Sequence, residues 1–589
     1  MMARILRVLV VAAALAACAP KPVVPPVFPQ AITLDQGAGW TPEERGRFYT
    51  RSQGSEIMKL SWMQALTLPD GTPFLAGNLA RYGYLPNAAG GLPVGFAVAS
   101  TGTDQYIGMT CAACHTRQIN VQGAAYRVDG GPALTDFQLF LTDLDTAVGT
   151  VAAANGTTPA FASFAQSVLG HPPTPAEQAA LNAEVQAWYS SYHTLMASAL
   201  PTPAWGLGRL DAVGMIFNRL TGLDIGTTPD RMIPGNIQTA AAPVRYPFLW
   251  NAPKQDFTQW PGFSANGNDL LGLVRNTGEV YGVFAVFHPV KDKQNLLGYN
   301  YLNQNSADFN GLRALEQSVK LIGPPKWPFS IDSNLAAKGA QIFGQAPGQG
   351  QCATCHWPQP GADRGPLSPT WKTPIQNVGT DTKEYDVLNW QVQTGVLQGA
   401  TILPGTLGPL KPTDTAIKVL SVSVAGSILQ DCARNPLACL AAAASPAPKA
   451  TAAGVTAPPP AALTARTVTS APQTRELAQA LTPPPINAAY ESRVMNGIWA
   501  AAPYLHNGSV PTLSDLLSPP DQRPASFAVG PAYDTTKIGL AAVQPGSTYK
   551  MTTTDCSALN SGNSRCGHDF GTHLSASDRA ALLEYLKTL

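Results

Sequence analysis

Two pentapeptides, Cys111-Ala112-Ala113-Cys114-His115 and Cys352-Ala353-Thr354-Cys355-His356, share the pattern C-x-x-C-H. This pattern is typical of covalent c-type haem attachment. Two thiols three residues apart can each form a thioether with one vinyl group of a porphyrin, and the adjacent histidine can then bind the iron. The sequence therefore predicts two covalently bound haem c groups. Their attachment residues would be Cys111, Cys114, Cys352 and Cys355, with His115 and His356 as proximal iron ligands.

The composition predicts a protein of several domains with extensive loops. The chain has 589 residues, of which 45% are hydrophobic, so it can form sizeable cores. Only 13% are charged, and Gly and Pro number 53 each. The formal net charge of +1 gives no electrostatic support for a nucleic-acid partner or for binding to an anionic lipid surface.

The N-terminus has the features of a targeting segment. Arg4 and Arg7 precede a short apolar run, Val8 to Leu15, which is too short to span a bilayer. The run ends in Leu15-Ala16-Ala17-Cys18, which resembles the lipobox of bacterial lipoproteins. The resemblance implies that residues 1–17 are a lipoprotein signal peptide and that Cys18 is lipidated. The alternative is an ordinary signal-peptidase site followed by an unrelated cysteine.

Residues 18–40 would then be a lipidated tether. Ala19 to Gln30 is rich in proline, which favours a semi-rigid extended chain. Ala19, rather than aspartate, follows the predicted lipidation site, which favours an outer-membrane anchor. We therefore expect a periplasmic protein that meets the membrane through its lipid anchor only.

Four cysteines remain after the haem and lipid assignments: Cys432, Cys439, Cys556 and Cys566. In an oxidising compartment an even remainder indicates disulfides. The pairing of sequence neighbours, 432 with 439 and 556 with 566, is the simplest, although four cysteines allow three connectivities.

Local signals predict several helices. Thr41-Pro42-Glu43-Glu44 has the form of a capped helix start, and Thr174-Pro175-Ala176-Glu177 is a capping box. A helix after the first pentapeptide is indicated by apolar residues at helical spacing, namely Phe137, Phe140, Leu141 and Leu144. Gly91 to Met109, by contrast, reads as glycine-punctuated strands.

We predict a mainly α fold with extensive loops and two c-type cytochrome domains, divided near Gly323-Pro324-Pro325. Residues 41–325 would be the N-terminal haem domain with the active haem, and residues 326–589 the C-terminal haem domain. Helices at Ala336 to Gly344 and after Ser575 resemble class I cytochrome c with insertions, in which a glycine, here Gly339, lets the first and last helices cross closely. Residues 440–485 are Ala/Pro-rich, which predicts an extended or disordered insert.

Eight histidines make the assignment of ligands tractable. His171 and His193 read as ordinary surface or core residues. His288 follows an aromatic segment and is a candidate for lining the first haem pocket, although an ordinary role is more common for such a residue. Three histidines near the C-terminus are candidates for a sixth iron ligand: His506, His568 and His573.

The stretch from Arg493 to Ser509, RVMNGIWAAAPYLHNGS, resembles the signature of the di-haem cytochrome c peroxidase superfamily. Within it, the chain is more similar to the rubber oxygenases and the di-haem unsaturated-fatty-acid dioxygenases. The run from Gly108 to Thr116, the ending from Cys566 to Thr572 and the long first half support that branch. The long spacing between the pentapeptides and the Ala/Pro-rich insert depart from the compact peroxidases.

The resemblance implies two unequal haems. The haem on His115 would have an open face where dioxygen binds, while the second would be held by His356 and His568 and serve electron storage or tuning. His506 is the competing candidate for this ligand, although the corresponding histidine in peroxidase relatives usually does not bind the iron. If the second haem were ligated by one histidine and one methionine, Met495 or Met551 would be the sixth ligand in place of His568.

We therefore expect a dioxygenase that adds dioxygen at C=C bonds of an unsaturated fatty acid or polyisoprene. The alternatives are a peroxidase that reduces hydrogen peroxide with electrons from a small donor protein, and an electron-transfer cytochrome without catalysis. A peroxidase needs an acid or base near the oxygen that it cleaves. No motif in the sequence identifies such a residue.

Overall fold

The structure is a computed structural model that describes residues 30–344, 352–363, 369–402, 408–444 and 488–589. The predicted signal peptide (1–17), the predicted lipidation site Cys18 and most of the predicted insert lie outside these residues. The assignment to a mainly α class with two cytochrome domains stays a prediction.

The α-helices, α1 to α15 in chain order, are Pro42–Thr50, Leu60–Ala65, Phe137–Ala152, Pro159–Leu169, Pro175–Ala199, Ala212–Arg219, Asp269–Gly282, Phe309–Leu321, Ser333–Phe343, Ala353–His356, Lys383–Leu388, Ala416–Arg434, Pro436–Ala444, Leu513–Leu516 and Ala576–Leu586. The strands, β1 to β22, are Ile32–Thr33, Met58–Lys59, Phe96–Thr101, Asp104–Met109, Thr116–Val121, Ala124–Asp129, Arg209–Leu210, Val244–Arg245, Phe257–Thr258, Ser264–Ala265, Val290–Lys291, Tyr299–Asn300, Pro360–Asp363, Pro369–Trp371, Ile375–Gln376, Gln391–Gln393, Thr413–Thr415, Tyr490–Glu491, Ser526–Ala528, Tyr533–Asp534, Gly539–Leu540 and Lys550–Thr552.

The described strands form small sheets of two or three strands. Two of these sheets are built on the longest hairpins, in which β3 pairs antiparallel with β4 and β5 pairs antiparallel with β6. The first pentapeptide joins these two hairpins. The sheet of β5 and β6 also includes β1, which pairs parallel with β6. Residues 32 and 33 therefore belong to the folded protein, although they fall in the range predicted as tether.

The predicted helix starts are confirmed. The Thr41 side chain accepts a hydrogen bond from the amide of Glu44 at the start of α1. The capping box of Thr174 and Glu177 opens α5. The four apolar residues of the helix after the first pentapeptide are buried in α3. Each prediction succeeded because capping and amphipathic spacing are local properties of the chain.

Helices α9 and α15 cross closely, as the resemblance to class I cytochrome c implies. A Cβ atom at Gly339 would lie 1.9 Å from the carbonyl oxygen of Ala581. Only glycine allows this approach. The rings of Phe343 and Tyr585 pack at the crossing, with centroids 5.3 Å apart.

Three clusters of buried hydrophobic side chains form the core. One lies wholly in the first half, around α3 and α5. The other two contain residues from both sides of Gly323. The predicted boundary near Gly323 therefore passes through shared cores, and the two-domain division stays a prediction.

The C-terminal half contains two features that the sequence singled out. Disulfides join Cys432 to Cys439 and Cys556 to Cys566, which confirms the pairing of sequence neighbours. The first five residues of the predicted insert, 440–444, belong to α13.

Among the described helices, α12 is long and apolar enough to cross a membrane, but 78% of its most apolar window is buried in the protein. Such burial is typical of a core helix.

Candidate functional site: two Cys-x-x-Cys-His loops and an adjoining cavity

The first pentapeptide forms a tight turn between two hairpins. Strand β4 leads into a 3₁₀ turn at Cys111–Ala113, and β5 begins directly after His115. The amide of His115 donates to the carbonyl of Cys111 at 3.0 Å. Gly95 packs against this turn so closely that a Cβ atom there would lie 1.9 Å from the amide nitrogen of Ala113. The hairpin backbone therefore fixes the pentapeptide from one side.

The imidazole of His115 is oriented by its own hydrogen bond. Its Nδ1 lies 2.9 Å from the carbonyl oxygen of Pro247 and acts as the donor, since a carbonyl can only accept. Burial lowers the pKa of His115 to about 4, so the ring is neutral at neutral pH. Nε2 is then the nitrogen with a lone pair for a metal, and the hydrogen bond at Nδ1 increases its basicity.

The thiols of both pentapeptides are unpaired. Cys111, Cys114, Cys352 and Cys355 form no disulfide. Burial raises the pKa of Cys111 and Cys114 to about 12, and it also raises the pKa of Cys352 and Cys355. Each pentapeptide therefore has what covalent haem attachment requires, namely two thiols that can form thioethers and one neutral imidazole that can bind the iron.

The second pentapeptide ends in the short helix α10. The amide of His356 donates to the carbonyl of Cys352 at 2.9 Å. Nδ1 of His356 lies 2.7 Å from the carbonyl oxygen of Arg493, and burial lowers the pKa of the ring. His356 is therefore oriented in the same way as His115, by a backbone carbonyl at Nδ1.

His568 lies opposite His356. Their ring centroids are 6.1 Å apart and the rings are inclined by 45°. Two imidazoles that bind one metal ion from opposite sides, with metal–nitrogen bonds of about 2 Å, have centroids roughly 6 Å apart. Nδ1 of His568 is buried and has no hydrogen-bond partner among the described residues. The pair therefore fits a bis-histidine iron site, and the ligand role of His568 stays a prediction.

The loop that presents His568 is held firmly. The residue has a φ of +54°, and its amide donates to the carbonyl of Val378 at 2.8 Å. The guanidinium of Arg523 donates to the carbonyl oxygens of Gly567 at 2.7 Å and His568 at 3.2 Å. The disulfide between Cys556 and Cys566 lies immediately before this loop. These contacts keep the imidazole in place.

The other candidate histidines lie elsewhere. His506 is buried and stacks on Tyr490, with centroids 3.8 Å apart. His288 lies 3.6 Å from Asp224, and in the described chain no second histidine ring contacts the ring of His115. His171, His193 and His573 are exposed.

The two methionine candidates also differ in position. Met495 lines a small cavity together with His356. Met551 is buried in the strand pair β19–β22.

A short chain of contacts connects the two proximal histidines. His115 donates to the carbonyl of Pro247, and the ring of the next residue, Phe248, lies 4.3 Å from the guanidinium carbon of Arg493. The carbonyl of Arg493 in turn accepts from His356. The two pentapeptides, 241 positions apart in sequence, are therefore neighbours through a few residues.

A cavity of about 60 Å3 lies between α6, α7 and α12. Its lining residues are Val213, Ile216, Gln259, Phe263, Ser264, Val274, Arg275, Gly278, Glu279, Ile417, Leu420, Ser421 and Val424. Arg275 and Glu279 of this lining are close enough for their charges to act on the pKa of Cys111 in the first pentapeptide. Most of its wall is aliphatic or aromatic.

Sequence reasoning missed the polar end of this cavity. Glu279 accepts a hydrogen bond of 2.8 Å from Gln259, and burial raises the pKa of its carboxyl. Arg275 is paired with Glu316 at 2.6 Å. The available signal was the spacing of Arg275 and Glu279, four residues apart on one face of α7 in an otherwise mostly uncharged helix.

Comparisons with known proteins identify one family and two relatives to which parts of this chain are similar. Residues 489–528, which include Arg493 and His506, match the family described as RoxA-like, cytochrome c-like. The uncharacterized protein y4iJ of Sinorhizobium fredii is 29% identical over 93% of this chain and 92% of its own length. The uncharacterized protein y4iM of the same strain is 52% identical over 9% of this chain and 13% of its own length.

The matched segment contains the carbonyl that orients His356 and the guanidinium that lies on Phe248. The cytochrome c-like match therefore falls on the part of the chain that joins the two candidate sites. It implies haem c as cofactor and a haem-dependent oxidoreductase. Over residues 489–528, the chain is similar to the RoxA-like cytochrome c proteins.

Proposed function

We propose that this chain is a periplasmic di-haem c-type oxidoreductase that adds dioxygen at C=C bonds of a hydrophobic substrate next to His115. The observation that carries the proposal is a largely apolar cavity whose charged lining residues, Arg275 and Glu279, act electrostatically on Cys111 of the first pentapeptide. The ring of His356 in the second pentapeptide has the ring of His568 6.1 Å away, whereas in the described chain no second histidine ring contacts His115. The His115 site is then the site of reaction, and the His356 site stores electrons or tunes the first.

The roles of the residues follow from the contacts. Cys111 and Cys114 would hold one haem and Cys352 and Cys355 the other, with His115, His356 and His568 as ligands. When bound, haem supplies one-electron and dioxygen chemistry. The carbonyl of Pro247 holds the His115 ring in the tautomer that leaves Nε2 free.

The cavity favours small apolar reactants. Phe263, Leu420 and Val424 present hydrocarbon to its interior, so water gains little by entering and an alkene gains by leaving water. Its volume of about 60 Å3 has room for a molecule of the size of dioxygen. Helix α12 contributes four of the lining residues.

The substrate is an unsaturated fatty acid or a polyisoprene. A lipid anchor at Cys18 would keep the protein close to a membrane, where lipid-like alkenes are abundant, and this slightly favours the fatty acid.

The decisive experiment is oxygen uptake by the purified di-haem protein with oleate, and separately with polyisoprene latex, without peroxide or added reductant. Mass spectrometry would identify the products. We expect consumption of dioxygen with formation of a hydroperoxide or of oxo-terminated fragments. No uptake with either substrate would contradict the proposal. Low-spin spectra for both haems, without turnover of either substrate, would instead indicate an electron-transfer cytochrome.

A second function, reduction of hydrogen peroxide, is favoured by one observation. Glu279 lies at the polar end of the cavity, with Gln259 donating to one of its oxygens. A carboxyl in such a position can accept and return a proton during cleavage of an O–O bond. Oxidation of a reduced donor cytochrome by hydrogen peroxide, lost in Glu279→Gln, would assign the protein to this class.

A further inference from the structure

Two buried arginines, Arg245 and Arg493, lie together, and in the described chain one carboxylate, that of Glu491, forms an ion pair with either of them. Arg245 and Arg493 are 4% and 7% exposed, and their guanidinium carbons lie 4.7 and 5.9 Å from the ring centroid of Trp260. A buried cation is costly unless it is paired with an anion. The groups around these two side chains therefore show which kind of ligand could bind there.

The partners of Arg245 are neutral. Its guanidinium donates to the carbonyl oxygens of Leu505 at 2.9 Å and Tyr246 at 3.4 Å. Burial, together with the charges of Arg493 and Arg117, lowers the pKa of Arg245 to about 9. Among the described residues, no carboxylate forms an ion pair with Arg245.

Arg493 is only partly satisfied. Its guanidinium donates to Gln255 at 3.0 Å, but its Nε has no hydrogen-bond partner in the described chain. Glu491 forms an ion pair with Nε of Arg493 at 3.9 Å, which offsets one of the two charges but is too long for a hydrogen bond. The amide nitrogen of Gln255 is also buried without a partner. Two neighbouring buried side chains, Arg493 and Gln255, therefore each have a hydrogen-bond donor, Nε and Nε2 respectively, that could bind an acceptor.

We propose that Arg245 and Arg493, against the ring of Trp260, form a buried carboxylate-binding site between the two pentapeptides. A carboxylate accepts charge-assisted hydrogen bonds from a guanidinium, often two at once, and it would neutralise the excess positive charge. The carboxylate is either a propionate of an attached haem or the acid group of a free fatty acid. The inference rests on the proposed haem attachment but not on the proposed reaction.

The location supports this chemistry. The carbonyl of Arg493 accepts from His356, and the charge of Arg493 acts on the pKa of His115. Tyr246, the residue after Arg245, has its ring 6.1 Å from that of His115. Any carboxylate bound here would lie near the first pentapeptide.

The test uses the holoprotein with its full haem content, and the variants Arg245→Gln, Arg493→Gln and Arg493→Lys. These changes leave the backbone carbonyl of Arg493 in place. If the carboxylate is a propionate, we expect the midpoint potential of the His115 haem to fall in both glutamine variants without any added ligand. Loss of a nearby cation stabilises the more positive ferric state. The propionate bending band in resonance Raman spectra should shift as well, and Arg493→Lys should keep most of the wild-type potential.

If the carboxylate belongs to a free acid, the propionate Raman band should stay unchanged, while the potential falls in either case because a nearby cation is lost. Oleate should then perturb the haem spectrum of the wild type, with a Kd at least tenfold higher in Arg493→Gln, while oleyl alcohol should behave alike in both. The matched control is Arg313→Gln, since Arg313 is a partly buried arginine that is paired with Asp431.

Unchanged potentials, Raman bands and oleate titrations in folded glutamine variants would overturn the site. If those variants do not fold, Arg493→Lys decides. Because lysine cannot form the paired hydrogen bonds of a guanidinium, wild-type Raman bands and oleate affinity in that variant would overturn the site too. If the proposed reaction is wrong, the oxygenase assay fails but these results do not change. If the proposed haem attachment is wrong, the purified protein contains fewer than two covalent haems.

Discussion

The two pentapeptides are nearly identical in sequence, yet they stand in different surroundings. In both, Nδ1 of the histidine donates to a backbone carbonyl, of Pro247 in the first and of Arg493 in the second. The ring of His568 lies 6.1 Å from that of His356, whereas His115 has no second histidine ring in contact with it among the described residues. The motif orients both histidines alike, and under the proposed function residues distant in sequence would make the two sites different.

The surrounding folds differ as well. The first pentapeptide joins two β-hairpins, and the second follows α9, which crosses α15 at Gly339. The charges of Arg275 and Glu279 on α7 act on Cys111 of the first pentapeptide, while the C-terminal loop presents His568 to His356 of the second. The comparison makes testable statements about each region.

The largest expected effect concerns the second site. His568→Ala should convert its haem from low spin to high spin, because one of two axial ligands is lost. Optical and electron paramagnetic resonance spectra of the ferric protein would measure the change.

His506→Ala is the matched control, because His506 is a buried histidine that stacks on Tyr490. It should keep the low-spin spectrum. A wild-type spectrum in His568→Ala, together with conversion in His506→Ala, would exchange the two roles.

The next effect tests the helix crossing that belongs to the second region alone. Gly339→Ala places a methyl group 1.9 Å from the Ala581 carbonyl. Overpacking against backbone that cannot move should lower the free energy of unfolding by about 3 kcal/mol. Thermal or denaturant unfolding of the holoprotein would measure it.

Gly46→Ala in α1 is the control, since a Cβ atom there meets nothing within 4 Å. It should raise the stability by about 0.5–1 kcal/mol through helix propensity. Equal effects of the two substitutions would show that α9 and α15 are not closely packed in solution.

How much of this contrast was predictable depended on the range of the interactions. The starts of α1 and α5 were predicted because Thr41 and Thr174 act on amides three residues away. The sequence-local disulfides were predicted for the same reason. His568 was favoured over His506 through the family resemblance, and its place opposite His356 needed the structure.

The features that were not predictable join distant residues. Arg493 contacts Phe248, and the charge of Glu279 acts on Cys111, across sequence separations that no periodicity describes. Strands of two residues, such as β7 and β8, are too short for an alternating pattern. The long insert was predicted from composition, but its first residues form the end of α13.

A smaller effect should distinguish the cavity from the rest of the surface. Val424→Phe places a ring in the space beside the first site, so we expect kcat/KM for the alkene to fall about tenfold, equivalent to about 1.4 kcal/mol. The haem spectra should not change. Leu437→Phe, at a position that is 81% exposed, is the control and should keep full activity. Equal activity of the two variants would show that the cavity takes no part in the reaction.

The smallest effect concerns the charge of Glu279. Burial raises its pKa above the ordinary 4.5, the neighbouring Arg275 opposes this, and the folded state therefore binds a proton more tightly than the unfolded state. Its contribution to stability is present below pH 4.5 and declines as the pH rises through the folded pKa. Glu279→Gln removes this dependence, so its stability relative to the wild type should increase with pH over that window.

Glu177→Gln should show the opposite sign. Hydrogen bonds from the amide and hydroxyl of Thr174 lower the pKa of Glu177, so its carboxylate stabilises the fold once the pH rises above the lowered pKa. The variant should therefore lose stability relative to the wild type as the pH rises towards 4.5. Melting temperatures of the three proteins between pH 3 and 8 would separate the two cases. If the difference in melting temperature between Glu279→Gln and the wild type stays constant across this range, the pKa of Glu279 is not raised by burial. Glu279 would then no longer be supported as the acid of a peroxidase.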